Sequence, residues 1–143
     1  VPLPSHRPFR AFASYSTDPD GKLVRHVESF LESLDRNALV REEMRRPIEL
    51  CVDGSDFKLP RTSDRAALEE LVGSYLALSD HLLVFSGPHA VGHEWMRFEL
   101  QWWLEHRGAE GILLALTAGD DPRAPAESLF PPEVVEAGLH RRP

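Results

Sequence analysis

The chain is 143 residues long and 42% hydrophobic, with 16 basic side chains against 23 acidic ones and a net charge of −7. That length and apolar content suit a single domain with a buried core, and the acidic balance excludes a broad surface for the phosphate backbone of a nucleic acid. No apolar run approaches the roughly 18 residues of a membrane span. The lone Cys51 leaves no partner for an internal disulfide, which fits a reducing, cytoplasmic setting.

The opening Val1-Pro2-Leu3-Pro4 is not signal-like, and residues 1–8 read as a linker or tail before a domain over 9–143. Phe9 to Tyr15 is a short strand. Asp18-Pro19 reads as an N-cap followed by proline at the first helical position. Leu23, Val27, Phe30, Leu31 and Leu34 then recur at helical spacing, predicting a helix from Asp20 to Asp35. Asn37 to Pro47 is charged and irregular. Ile48 to Val52 is a second strand in which Cys51 packs as a small hydrophobe. Asp53-Gly54-Ser55-Asp56 breaks it. A loop continues to Ser63, the expected cap of a second helix with Leu68, Leu71, Val72, Tyr75 and Leu76 facing inward.

His81 to Phe85 is a continuous apolar run of strand length, and Ser86-Gly87-Pro88 turns the chain. Gly92-His93 leads into a helix over Trp95 to Leu104, and Gly111 to Leu116 is a fourth strand. Ala118 to Pro132, rich in Asp and Pro, reads as loop, and Glu133 to Leu139 as a short helix. No fifth strand follows, so the C-terminal part of the domain reads as incomplete. Strands and helices alternate, and the strands carry consecutive apolar residues. That is the pattern of an α/β fold with a central parallel sheet covered on both faces.

Ligands of such sheets bind beyond the carboxyl ends of the strands. Ser14-Tyr15-Ser16, Asp53 to Asp56 and Ser86-Gly87-Pro88 all fall there. The helix after the third strand begins on the same edge. At roughly 100° per residue, Phe98, Trp102, Trp95, Trp103, Met96 and Leu100 cover one broad apolar arc, with Glu99 near its middle. Arg97 and Gln101 point the other way. An ionised carboxylate among aromatics is costly unless it is paired or needed, so Glu99 is either salt-bridged within the fold or faces a cleft where its charge does chemistry. His89 and His93 stand four apart, but Pro88 and Gly92 disrupt a helix through both and no third ligand is evident, so no metal site is expected. No glycine-rich phosphate loop follows any strand, and Ser14, Ser16 and Ser86 lack a nucleophile-elbow sequence. Trp102-Trp103 reads as core packing.

With these residues in view, the chain from about Phe9 to Gly119 resembles a Toll/interleukin receptor (TIR) domain of the bacterial kind. The resemblance rests on five pieces in order. Phe12-Ala13-Ser14-Tyr15-Ser16 is similar to the opening strand, Val52-Asp53 to the end of the second, and Gly54 to Arg61 to the BB loop. Leu78 to Ser86 is similar to the third strand with its approach, and Trp95-Met96-Arg97-Phe98-Glu99 to the W-x-x-x-E signature.

The resemblance implies a flavodoxin-like, three-layer fold. It also implies an NAD+ glycohydrolase that breaks the nicotinamide–ribose bond to give ADP-ribose or a cyclic isomer. NAD+ is then substrate, and no cofactor is implied. Glu99 carries over as the catalytic carboxylate, with Trp95 packed beneath it. Ser14, Tyr15, Ser16 and Ser86 would line the pocket, and Asp53, Phe57 and Arg61 would belong to the loop that closes over substrate. The family further implies assembly with other copies of the domain, a fused sensor or regulatory domain, and a role in bacterial antiphage defence. Two alternatives remain: a non-catalytic TIR module that self-associates or recruits other TIR domains, and a nucleoside deoxyribosyltransferase-like enzyme, against which the W-x-x-x-E context argues.

Overall fold

The computed structural model describes residues 9–34, 50–52, 64–117 and 123–141. In chain order these form β1 (Phe9–Ser14), α1 (Thr17–Leu34), β2 (Leu50–Cys51), α2 (Arg65–Ala77), β3 (Ser79–Ser86), α3 (Glu94–Arg107), β4 (Ile112–Leu116) and α4 (Pro132–Glu136). Single 3-10 turns lie at Pro88–Ala90, Ala126–Ser128 and Leu139–Arg141. The four strands make one sheet in the order β2-β1-β3-β4, and every pairing is parallel.

Strand alternation sends successive side chains to opposite faces, and the register turns that into two cores. Phe12 lies opposite Cys51 on one side and Leu82 on the other, and Leu82 lies opposite Ile112. This row, with Val84, is buried under Val72 and Leu76 of α2, Met96, Leu100 and Trp103 of α3, and Val134 of α4. On the other face Ala11, Ala13 and Phe85 pack against Val24 of α1. The Phe12 face takes the larger aromatic load. The result is a small three-layer α/β domain, with a sheet covered by helices on both faces as the alternation predicts.

Several boundaries differ from the sequence reading, each for a physical reason. The cap of α2 is Asp64, not Ser63, which lies outside the described residues. Asp64 Oδ1 accepts from the Ala67 amide at 3.2 Å, and its charge also suits the positive end of the helix. β3 starts two residues before the apolar run because its first residues are polar. Ser79 is fully buried and donates to Tyr75 O at 3.0 Å, and the Arg107 guanidinium donates to the carbonyls of Ser79 and Asp80. α1 begins at Thr17 rather than Asp20, and Asp18 within its first turn has extended geometry, φ −115° and ψ 116°.

α3 is held on three sides. Met96, Leu100 and Trp103 face the sheet. Arg97 and Gln101, expected simply to face water, reach Glu133 at 2.9 Å each and seat α4. On the α2 side Trp102 lies against Gly73, where an added Cβ would stand 2.8 Å from the indole nitrogen. Trp102 also stacks on His106, ring centres 4.3 Å apart. The packing role expected for Trp102-Trp103 therefore holds, and Trp103 adds a hydrogen bond from Nε1 to Glu110 O at 3.1 Å. Among the described residues there is no fifth strand, and no helix is long and apolar enough to cross a membrane.

Gly111 starts β4 from φ +83°, and a Cβ there would meet Asp80 O and Trp103 at 3.3 Å. Gly111→Ala is expected to lower unfolding free energy by about 1–2 kcal/mol, read as a fall in the urea midpoint at constant m-value.

Candidate functional site

β1 and β3 are neighbours at the centre of the sheet, yet the chain leaves them for opposite faces. From Ser14 it turns into α1, and from Ser86 it turns through Pro88–Ala90 into α3. Where adjacent parallel strands diverge in this way, a crevice opens at their carboxyl ends, and it is the common ligand position of open α/β sheets.

Ser14 is the last residue of β1 and is fully buried. Its alternation with Phe12 turns it toward the α2–α3 layer. The Ser14 hydroxyl has no hydrogen-bond partner. The other serines at this edge are engaged: Ser16 Oγ donates to Asp18 O at 2.5 Å, and Ser86 Oγ donates to Leu129 O at 2.6 Å. Of the three, only the hydroxyl of Ser14 is without a structural task. Tyr15 is half-buried on the α1 side.

Trp95 stands in the first turn of α3, after His93, whose Nδ1 accepts from the Met96 amide at 3.3 Å and caps the helix. The Arg65 guanidinium lies 4.3 Å over the Trp95 ring, and the Phe98 ring meets it edge-on at 5.5 Å. Arg65 in turn pairs with Glu69 at 3.0 Å and Glu94 at 3.5 Å. One turn on, Glu99 is partly buried between the core stripe of Met96, Leu100 and Trp103 and the flank formed by Trp95 and Trp102, and its Oε2 is shielded from solvent. Asp53, Phe57 and Arg61 lie outside the described residues.

A second cluster at the same edge has no sequence motif. Asp20, from the start of α1, is almost fully buried. His89 Nε2 lies 2.5 Å from Asp20 Oδ2, and Thr117 Oγ1 donates to the same oxygen at 3.1 Å. Thr117 also bonds Ser86 O through its amide at 2.8 Å. Asp20 looks like one more first-turn acid and His89 like half of a histidine pair, so periodicity does not single them out. The usable signal is position: each falls within a few residues of a strand's carboxyl end. His89 and His93 thus serve Asp20 and the α3 cap. Among the described residues no group of three or more His, Cys, Asp or Glu side chains is placed to hold a metal.

The fold and this edge define a small parallel α/β domain with a topological switch point between β1 and β3. No protein-family model, no curated protein and no solved structure matches the chain.

The serines predict a contrast in stability. Ser86→Ala leaves the buried Leu129 carbonyl without its donor and is expected to cost about 1–3 kcal/mol. Ser14→Ala removes a hydroxyl that bonds nothing, and its midpoint should match or exceed that of the parent. Paired urea titrations check both.

Proposed function

We propose that this is a TIR domain that cleaves NAD+ between nicotinamide and ribose, with Glu99 as the catalytic carboxylate. The observation that carries the reading is the Glu99 side chain, whose Oε2 is shielded from water on the helix whose Met96, Leu100 and Trp103 are buried. Glu99 lies roughly 7.5 Å along the axis from the first residue of a helix that starts at the crevice. Two further features support it. The order β2-β1-β3-β4 follows the flavodoxin-like pattern, and Trp95 to Glu99 spells W-x-x-x-E.

The chemistry asks for one carboxylate. A glycoside releases an alkoxide and needs a second group to protonate it. Nicotinamide leaves a cationic ring as a neutral base, so no general acid is required. The barrier lies in the positive charge that grows on the ribose as the bond breaks. A fixed carboxylate beside the ribose, in a partly dry pocket, stabilises that charge and accepts hydrogen bonds from the hydroxyls. Trp95, clamped under Arg65, steadies the turn before Glu99, and Ser14 offers an unused hydroxyl to a ribose or phosphate oxygen. Ser16 and Ser86, whose hydroxyls are engaged, frame the edge with Tyr15. Asp53, Phe57 and Arg61 are assigned to the loop over the substrate. The reading carries with it activation by assembly of several copies, a fused sensor domain and a part in bacterial antiphage defence.

The second reading is a TIR module that only self-associates. It is favoured by β4, the end strand of the sheet among the described residues, where Leu113 and Leu116 are 48% and 50% exposed.

Nicotinamide release from NAD+ at high protein concentration, with and without a crowding agent, separates the two. The enzyme reading expects release that falls by at least ~100-fold in Glu99→Ala. A folded, oligomeric sample that releases no nicotinamide would favour the self-association reading.

A further inference from the structure

Asp20 and His89 sit on the two connections that leave β1 and β3 for opposite faces of the sheet. A contact between them therefore bridges the mouth of the crevice. We propose that the Asp20–His89 contact is a latch that closes the switch-point crevice over Ser14, and that a ligand gains the crevice only when the latch releases.

The two halves of the contact are anchored differently. Asp20 belongs to the sheet side. Its Oδ2 takes the Thr117 hydroxyl at 3.1 Å, and Thr117 is tied to Ser86 O at 2.8 Å. His89 sits on the single 3-10 turn Pro88–Ala90, with Gly87 before it and Gly92 after it. The carboxylate is the fixed catch and the imidazole the moving bolt.

Both side chains are largely out of water, at 7% exposed for Asp20 and 16% for His89. The approach is close, 2.5 Å, yet His89 Nε2 makes no aligned hydrogen bond. At the same carboxyl edge of the sheet, at the end of β1, Ser14 Oγ is fully buried and has no partner. A polar group buried without a partner is uncommon unless something else satisfies it. The latch gives it a reason: the hydroxyl is kept for a ligand that reaches it only when the Asp20–His89 contact parts.

The test reads access rather than turnover, so its outcome does not depend on whether the domain cleaves NAD+. Ser14→Cys puts a thiol under the latch, and Cys51, fully buried in β2, is an internal control for unfolding. Alkylation by iodoacetamide is followed at each site by peptide mass spectrometry. It is measured in Ser14→Cys alone and in that variant combined with Asp20→Asn or His89→Ala. The latch expects position 14 to be alkylated at least tenfold faster in both combinations while Cys51 stays unmodified. An unchanged rate at position 14 overturns the proposal. A parallel rise at position 14 and Cys51 also overturns it, since the pair would then hold the whole fold together rather than guard the crevice.

Discussion

The parallel pairing of β1 with β3 is the constraint on which the rest of the domain depends. It runs from Phe9 opposite Ser79 to Ser14 opposite Val84. Parallel neighbours cannot be joined by a tight turn, so the chain must cross over a face of the sheet between them. Here α1, β2 and α2 intervene, and the segments that follow β1 and β3 go to different faces. The two cores, the crevice at the carboxyl edge and the approach of His89 to Asp20 all follow from that arrangement. Slipping this pairing by a single residue would move Phe12 and Cys51 out of register with Leu82 and Ile112 and break the row on which α2 and α3 rest.

α3 is the element through which that constraint reaches the proposed chemistry. The sheet fixes it through Met96, Leu100 and Trp103, α4 through Arg97 and Gln101, and α2 through Arg65 over Trp95 and Gly73 beneath Trp102. A carboxylate acts by preorganised charge only if its position is set before substrate arrives. Glu99 projects from a helix with three separate anchors, which is how a short domain holds one acid in place.

The layers were legible because each strand and helix buries enough apolar surface to show its period. The runs at Phe12, Leu82 to Phe85 and Ile112 to Leu116 mark the strands, and the arc around Glu99 marks the helix. Polar residues that enter regular structure were harder to read. Ser79 and Asp80 extend β3 because neighbouring groups satisfy them, which no hydropathy pattern records. Asp64 rather than Ser63 caps α2, since adjacent residues of nearly equal capping tendency are separated only by geometry. The W-x-x-x-E segment was visible as a local word. The Asp20–Thr117 contact was not, because it joins residues 97 apart in the chain and only the sheet brings them together.

All three tryptophans of the chain, Trp95, Trp102 and Trp103, lie on α3. Each has a different neighbour: a guanidinium over Trp95, an imidazole stacked on Trp102, and for Trp103 the buried core with Arg107 over its ring. Indole emission from this protein is therefore the emission of one helix, the one that bears Glu99. A spectral shift on adding a nucleotide, on assembly or on releasing the turn at His89 reports the surroundings of that helix directly, with no label attached.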